Sequence, residues 1–69
     1  MVYPNPTYGN VWVDGVEVSE IQIYNVMGQL LKSYHGIHEI NVSDLPPGIY
    51  LLHITDYHGV INKKKIVVE

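Results

Sequence analysis

The most apolar run of the chain is Leu45 to Ile54, Leu-Pro-Pro-Gly-Ile-Tyr-Leu-Leu-His-Ile. Pro46 and Pro47 neither continue a helix nor donate to a sheet, and Gly48 is free to take a positive φ and turn the chain. On a strand, Tyr50, Leu52 and Ile54 share one face and Ile49, Leu51 and His53 the other. Apolar side chains on both faces predict a central strand lying under a second layer. Elsewhere the alternation is shorter. Val11-Trp12-Val13 reads as a strand ended by the turn dipeptide Asp14-Gly15. In Glu20 to Tyr24, Ile21 and Ile23 point one way and Gln22 and Tyr24 the other. Asn25-Val26-Met27-Gly28 suits a type I turn closed by a left-handed glycine, so Gln29 to Tyr34 is expected to return antiparallel. The same device recurs at Asp56-Tyr57-His58-Gly59, between the central strand and Val60 to Val68. Glu39 to Val42 forms a further short strand, followed by a tight turn at Ser43-Asp44-Leu45. At the start, Pro4 and Pro6 push Tyr3 and Asn5 towards extended conformations, which predicts a stiff, extended domain entrance before a turn at Thr7 to Asn10. No segment of ten or more residues holds a 3.6-residue apolar period. The pattern predicts an all-β fold, a small antiparallel Ig-like β-sandwich of about seven short strands.

Composition narrows this picture. The chain has 69 residues and no cysteine, enough for one domain that buries only about 60% of its unfolded surface and has no disulfide or thiolate metal site to assist it. Apolar residues make up 46% and charged residues 16%, a composition that folds. A net charge of −3 excludes a general nucleic-acid binder, which needs a basic face. The run Leu45 to Ile54 is too short to span a membrane as a helix. Met1-Val2-Tyr3-Pro4 has neither the basic start nor the apolar segment of a signal peptide, which leaves a cytoplasmic protein or a piece of something longer, and Met1 directly before a turn-like motif favours the second.

Candidate chemistry is sparse. His35-Gly36-Ile37-His38 beside Glu39 is the one tempting metal site, but a catalytic zinc needs three protein ligands and a supporting shell, and a polar hairpin loop explains the pair. His53 reads as a partly buried, hydrogen-bonded residue and His58 as a turn residue. Ser19, Ser33 and Ser43 lack a nucleophile elbow, and the carboxylates, among them Asp14 and Asp56, are scattered rather than paired for acid–base work. Asn41-Val42-Ser43 fits a glycosylation sequon, although turn formation accounts for it equally. Six tyrosines and one tryptophan suit core filling and strand propensity; an aromatic strip for sugar binding is the alternative. Three of the four cationic residues are consecutive, Lys63-Lys64-Lys65, before Ile66-Val67-Val68 near the end of the chain. Lysines on an edge strand discourage aggregation; the functional alternative is a basic tail presented for docking. With Ile66 and Val68 facing the core, Lys64 has core parity and must snorkel its ammonium to the rim, leaving Lys63 and Lys65 outside.

The ordered set Tyr3-Pro4-Asn5-Pro6-Thr7, Ile21-Gln22-Ile23-Tyr24-Asn25 with Gly28, Leu45 to Gly48 with Tyr50, and Lys64-Lys65-Ile66-Val67 resembles the type A C-terminal sorting domain of the type IX (Por) secretion system. The resemblance covers essentially the whole chain and rests on the order and spacing of the set. Gln29 replaces the arginine frequent after the turn glycine, Tyr8 stands where a small polar residue is usual, and Glu69 is an acidic end. The resemblance implies an Ig-like sandwich, residues 1–69, that closes a longer secreted protein of Bacteroidota-type bacteria. It implies a signal that takes its fused N-terminal cargo domain from the periplasm across the outer membrane, before a surface sortase removes it and the cargo is anchored or released at the cell surface. It also implies a domain that is no enzyme, needs no cofactor, metal, small-molecule substrate or nucleic acid, and meets the outer membrane only through the translocon and sortase. Lys63, Lys64, Lys65, Ile66, Val67 and Val68 are the residues expected to be recognised, and Pro4, Asn5, Pro6, Gly28, Gly48, Tyr50 and Gly59 those expected to shape the fold. An accessory adhesion or carbohydrate-binding sandwich, and a metal module through His35 and His38, are the rival readings.

Overall fold

A computed structural model describes residues 2–14 and 17–69. They form seven strands: β1 (Val2–Tyr3), β2 (Asn10–Val13), β3 (Val18–Tyr24), β4 (Leu30–His35), β5 (Glu39–Asn41), β6 (Gly48–Asp56) and β7 (Ile61–Val68). The strands make two antiparallel sheets, ordered β1-β2-β5 and β4-β3-β6-β7. In immunoglobulin lettering these are A-B-E and C′-C-F-G, an Ig-like sandwich without strand D. The turn expected at Asp14-Gly15 lies partly outside the described residues.

Both hairpins close by the same side-chain device. The Asn25 side-chain oxygen accepts from the amides of Met27 and Gln29, each at 3.0 Å; that of Asp56 accepts from His58 at 2.8 Å and Val60 at 2.9 Å. A short polar side chain thus satisfies turn amides that no strand can reach. Gly28 and Gly59 complete the turns at φ 82° and 83°, a region that a side chain with a Cβ resists.

The core lies between the sheets. Val11 and Val13 of β2, with Ile40 and Val42, face Val18, Ile21, Ile23, Leu52, Ile54, Ile66 and Val68, all buried. Tyr50 is the one buried aromatic residue of this core. Its hydroxyl donates to the Pro46 carbonyl at 2.5 Å, tying the start of β6 to the corner before it in the manner of an Ig tyrosine corner. Gly48 takes the positive φ expected of it, at 158°, a backbone conformation that L side chains rarely adopt, but it already belongs to β6, so the prolines and the Ser43 to Leu45 turn redirect the chain.

Two further expectations change. β6 is central, paired to β3 and β7, but only its Tyr50, Leu52 and Ile54 face is sealed. Ile49 remains 47% exposed, and Leu51 and His53 are half-buried, because each sheet of a two-layer sandwich has one covered face. His53 is shielded by the Tyr24 ring, 4.4 Å away between centroids, and not by a hydrogen bond. The Tyr3 to Thr7 entrance is not extended: it bends through Pro4–Pro6, with the Tyr3-Pro4 and Asn5-Pro6 peptides both cis.

An added Cβ at Gly28 or Gly59 would meet nothing within 4 Å, so substitution there costs backbone conformation alone. Gly28→Val or Gly59→Val is expected to destabilise by about 1 kcal/mol or more, whereas Gly28→Asn loses less because asparagine tolerates the left-handed region. Leu52→Ala, at the fully buried centre of β6, is expected to cost about 2–5 kcal/mol. Chemical denaturation midpoints measure all four variants.

Candidate recognition surface on the terminal strand

β7 carries the basic cluster, and its register with β6 fixes where each lysine points. Tyr50 opposes Ile66 and Leu52 opposes Lys64; on the other face Leu51 opposes Lys65 and His53 opposes Lys63. Ile66 and Val68 are buried. Lys64 shares their face, yet is exposed, so its aliphatic stem runs outward past the core as its parity requires. Lys63 and Lys65 stand on the outer face, beside His53, Leu51 and the half-buried Val67. The lysines of β7 make no ion pair among the described residues. The remaining lysine, Lys32 on β4, is held by both carboxylate oxygens of Asp44, at 2.6 and 2.5 Å. That contact raises the Lys32 ammonium above its ordinary pKa and lowers the Asp44 carboxyl. Among the described residues, the lysines without an ion partner are therefore concentrated on one strand.

The far edge of β7 is where the structure adds most. An edge strand leaves a row of unpaired backbone groups. Here the N-terminal segment covers them. The Asn5 side-chain amide donates to the Lys65 carbonyl at 2.9 Å, while its oxygen accepts from the Val67 amide at 3.0 Å. One planar amide thus takes the place of a missing peptide group. Thr7 continues the ladder: its amide donates to the Val67 carbonyl and its carbonyl accepts from the Glu69 amide, both at 2.8 Å, in a parallel bridge with Val68. Thr7 is fully buried, with its hydroxyl donating to the Asn10 carbonyl at 2.8 Å and accepting from the Gly9 amide at 3.1 Å. The nearby Glu69 carboxylate raises the pKa of the Tyr8 phenol. The first residues therefore fasten the last ones. Sequence reading placed Pro4, Asn5 and Pro6 at a domain entrance and missed this clip. The available signal was an amide side chain between two residues that lack an N–H donor.

The other candidates are dispersed. His35 Nε2 lies 3.1 Å from the Glu20 carboxylate, which also accepts from the Ser33 hydroxyl at 3.2 Å. His38 instead places Nδ1 3.3 Å from the Val13 carbonyl. The two histidines thus have separate local partners, and no group of three or more His, Cys, Asp or Glu converges among the described residues. Asn41 of the sequon is occupied: its side-chain oxygen accepts from the Ser43 amide at 3.0 Å and from the Ser43 hydroxyl.

Replacing Asn5 removes two hydrogen bonds to the β7 edge without touching the core. Asn5→Ala is expected to destabilise by about 1–2 kcal/mol. Hydrogen exchange should quicken most at Val67 and Glu69, and not at the centre of β6. Uniform quickening through both sheets would show that Asn5 acts on the whole fold rather than on the terminal strand.

One comparison with known protein families gives a match. The family described as the secretion system C-terminal sorting domain matches residues 1–69. Among curated proteins no match is found. Matched over its whole length, the chain belongs to the C-terminal sorting domains of type IX secretion.

Proposed function

We propose that this domain ends a longer exported protein, reaches the periplasm with it, and directs it across the outer membrane by presenting β7 to the type IX translocon. After passage a surface sortase removes the domain, and the cargo is anchored to the cell surface or released. The family supports the coarser part, a C-terminal sorting signal of type IX secretion in a family that is not one of enzymes. The observation that supports the finer part is the state of β7. It is paired on one edge by β6 and clipped on the other by Asn5 and Thr7, so the strand is rigid, and it displays Lys63 and Lys65 outward without ion partners. A fixed array of unpaired charges loses little entropy on docking and steers an acidic partner at long range. Ile66 and Val68 are buried in the core, so their share in recognition is to hold the strand in register, while Lys63, Lys65 and Val67 make the contacts.

Fusion of the domain to the C-terminus of a periplasm-exported reporter is expected to secrete that reporter from a type IX-competent cell. Removal of Lys63 to Glu69 should trap it in the periplasm. Because truncation also removes a strand, the decisive variant is the double charge reversal Lys63→Glu/Lys65→Glu. These exposed changes should alter stability by only about 0.5 kcal/mol, so loss of secretion with an unchanged melting transition assigns the lysines to recognition. Full secretion of the reversed variant would place the signal elsewhere in the sandwich.

A further inference from the structure

The sheet that does not carry β7 presents a different chemistry. On β2 the side chains alternate, with Val11 and Val13 buried and Asn10 and Trp12 outward. The register aligns Tyr3, Trp12 and Glu39 in one row across β1, β2 and β5, and Asn10 with Asn41 in the next. Residues opposite one another in a ladder share a face, so all five side chains belong to the outer surface. The Tyr3 and Trp12 rings lie nearly parallel, at 16° and 6.2 Å between centroids. Tyr3 is 41% and Trp12 37% exposed, which leaves on the order of 90 Å² of each residue open, given the size of aromatic residues.

Polar groups border the rings in complementary roles. The exposed Glu39, opposite Trp12, offers two acceptor oxygens with no hydrogen bond from the described residues. Asn10 uses its side-chain oxygen to accept from the Asn41 amide at 2.8 Å, which orients the pair and leaves the Asn10 NH₂ as a donor. No lysine lies in either row. The surface thus combines flat apolar rings, fixed donors, fixed acceptors and one negative charge. A pyranose with equatorial hydroxyls has the matching shape. Its axial C–H groups form a flat apolar face suited to the negative face of an aromatic ring, and its rim carries hydroxyls that both donate and accept.

We propose that the outer face of the β1-β2-β5 sheet, built on Tyr3 and Trp12 with Glu39 and Asn10 at its border, is a binding platform for a neutral, equatorially substituted glycan. Glu39 and the absence of cations in these rows disfavour anionic sugars. Strand pairing holds the rings before the ligand arrives, which reduces the entropy lost on binding. The site shares no residue with the lysines of β7, and its occupancy does not depend on the secretion reading.

Trp12 is the only tryptophan of the chain, so its emission reports the platform directly. The probes are cellohexaose, laminarihexaose and N-acetylchitohexaose. At least one is expected to change Trp12 emission saturably, with a matching calorimetric isotherm. Tyr3→Leu keeps an apolar side chain but removes the flat ring, and should weaken that binding about tenfold, equivalent to about 1.4 kcal/mol. Glu39→Ala should weaken it severalfold, and both variants should retain the wild-type melting transition. The proposal is overturned if none of the probes gives a saturable response by fluorescence or calorimetry up to about 10 mM, a concentration well above that needed for millimolar affinity. It is equally overturned if binding persists unchanged in Tyr3→Leu and Glu39→Ala, or if only anionic hyaluronan binds and Lys63→Glu/Lys65→Glu abolishes it.

Discussion

The fold depends on β6 being hydrogen-bonded along both edges while its Tyr50, Leu52 and Ile54 face is buried. Each hairpin strand beside it, β3 and β7, brings isoleucines into register with that face: Ile23 opposite Leu52, Ile21 opposite Ile54, Ile66 opposite Tyr50. Cross-strand pairs of this kind are the unit in which a sheet is stabilised. They also fix register, since a slip of one residue would turn the buried set outward. The smaller sheet then contributes Val11, Val13 and Ile40 as the opposing layer. In a chain with no cysteine, this aliphatic contact replaces the covalent constraints that many small domains use.

That arrangement leaves β7 at an edge, and the edge is handled in two ways. Lys63 and Lys65 place charge along it, which opposes pairing with another molecule. Further on, at Lys65 to Glu69, the chain supplies its own cover. Asn5 and Thr7 reach across 60 to 62 positions of sequence to satisfy four backbone groups. A contact between the two ends closes the largest loop the chain contains, yet closure entropy grows only slowly with length. Long-range fastening is therefore affordable, and it makes the terminal strand part of the folded body rather than a tail.

Much of this was legible in the sequence, for physical reasons that can be named residue by residue. Ile21 and Ile23 alternate with polar neighbours, so the buried face of β3 could be read directly. Asn25 to Gly28 and Asp56 to Gly59 carry their turn chemistry within four residues, so both hairpins were visible. The lysine parities followed from the two-residue repeat of a strand. The misses share a different origin. The exposed second face of β6 reflects how many layers the fold builds, and Ile49 and Leu51 do not encode that count. The bend at Pro4–Pro6 serves contacts with the far end of the chain, and the prolines themselves mark only an irregular segment. The Asn5 clip joins residues 60 and 62 positions apart, and no local pattern in a single sequence marks such a pairing. Tyr3 and Trp12 looked like ordinary strand aromatics because their alignment across β1 and β2 exists only once the register is set.

The two outer faces of the sandwich also differ in a way that bears on how one small domain can carry more than one interaction. Lys63 and Lys65 lie on the outer face of the four-stranded sheet, while Tyr3, Trp12 and Glu39 lie on that of the smaller one. The buried aliphatic layer stands between them, so a ligand on one face touches no residue of the other. Their chemistry differs as well: the first presents exposed charge, whose attraction to a partner salt screens, and the second presents aromatic rings and neutral hydrogen-bonding groups beside one carboxylate. Only the segment from Tyr3 to Thr7 belongs to both, with Tyr3 in the aromatic row and Asn5 and Thr7 on the edge of β7. A change at the aromatic row reaches the clip along two short stretches of chain, Tyr3 to Thr7 on one side and Thr7 to Trp12 on the other, the second reinforced by the hydrogen bond from the Thr7 hydroxyl to the Asn10 carbonyl.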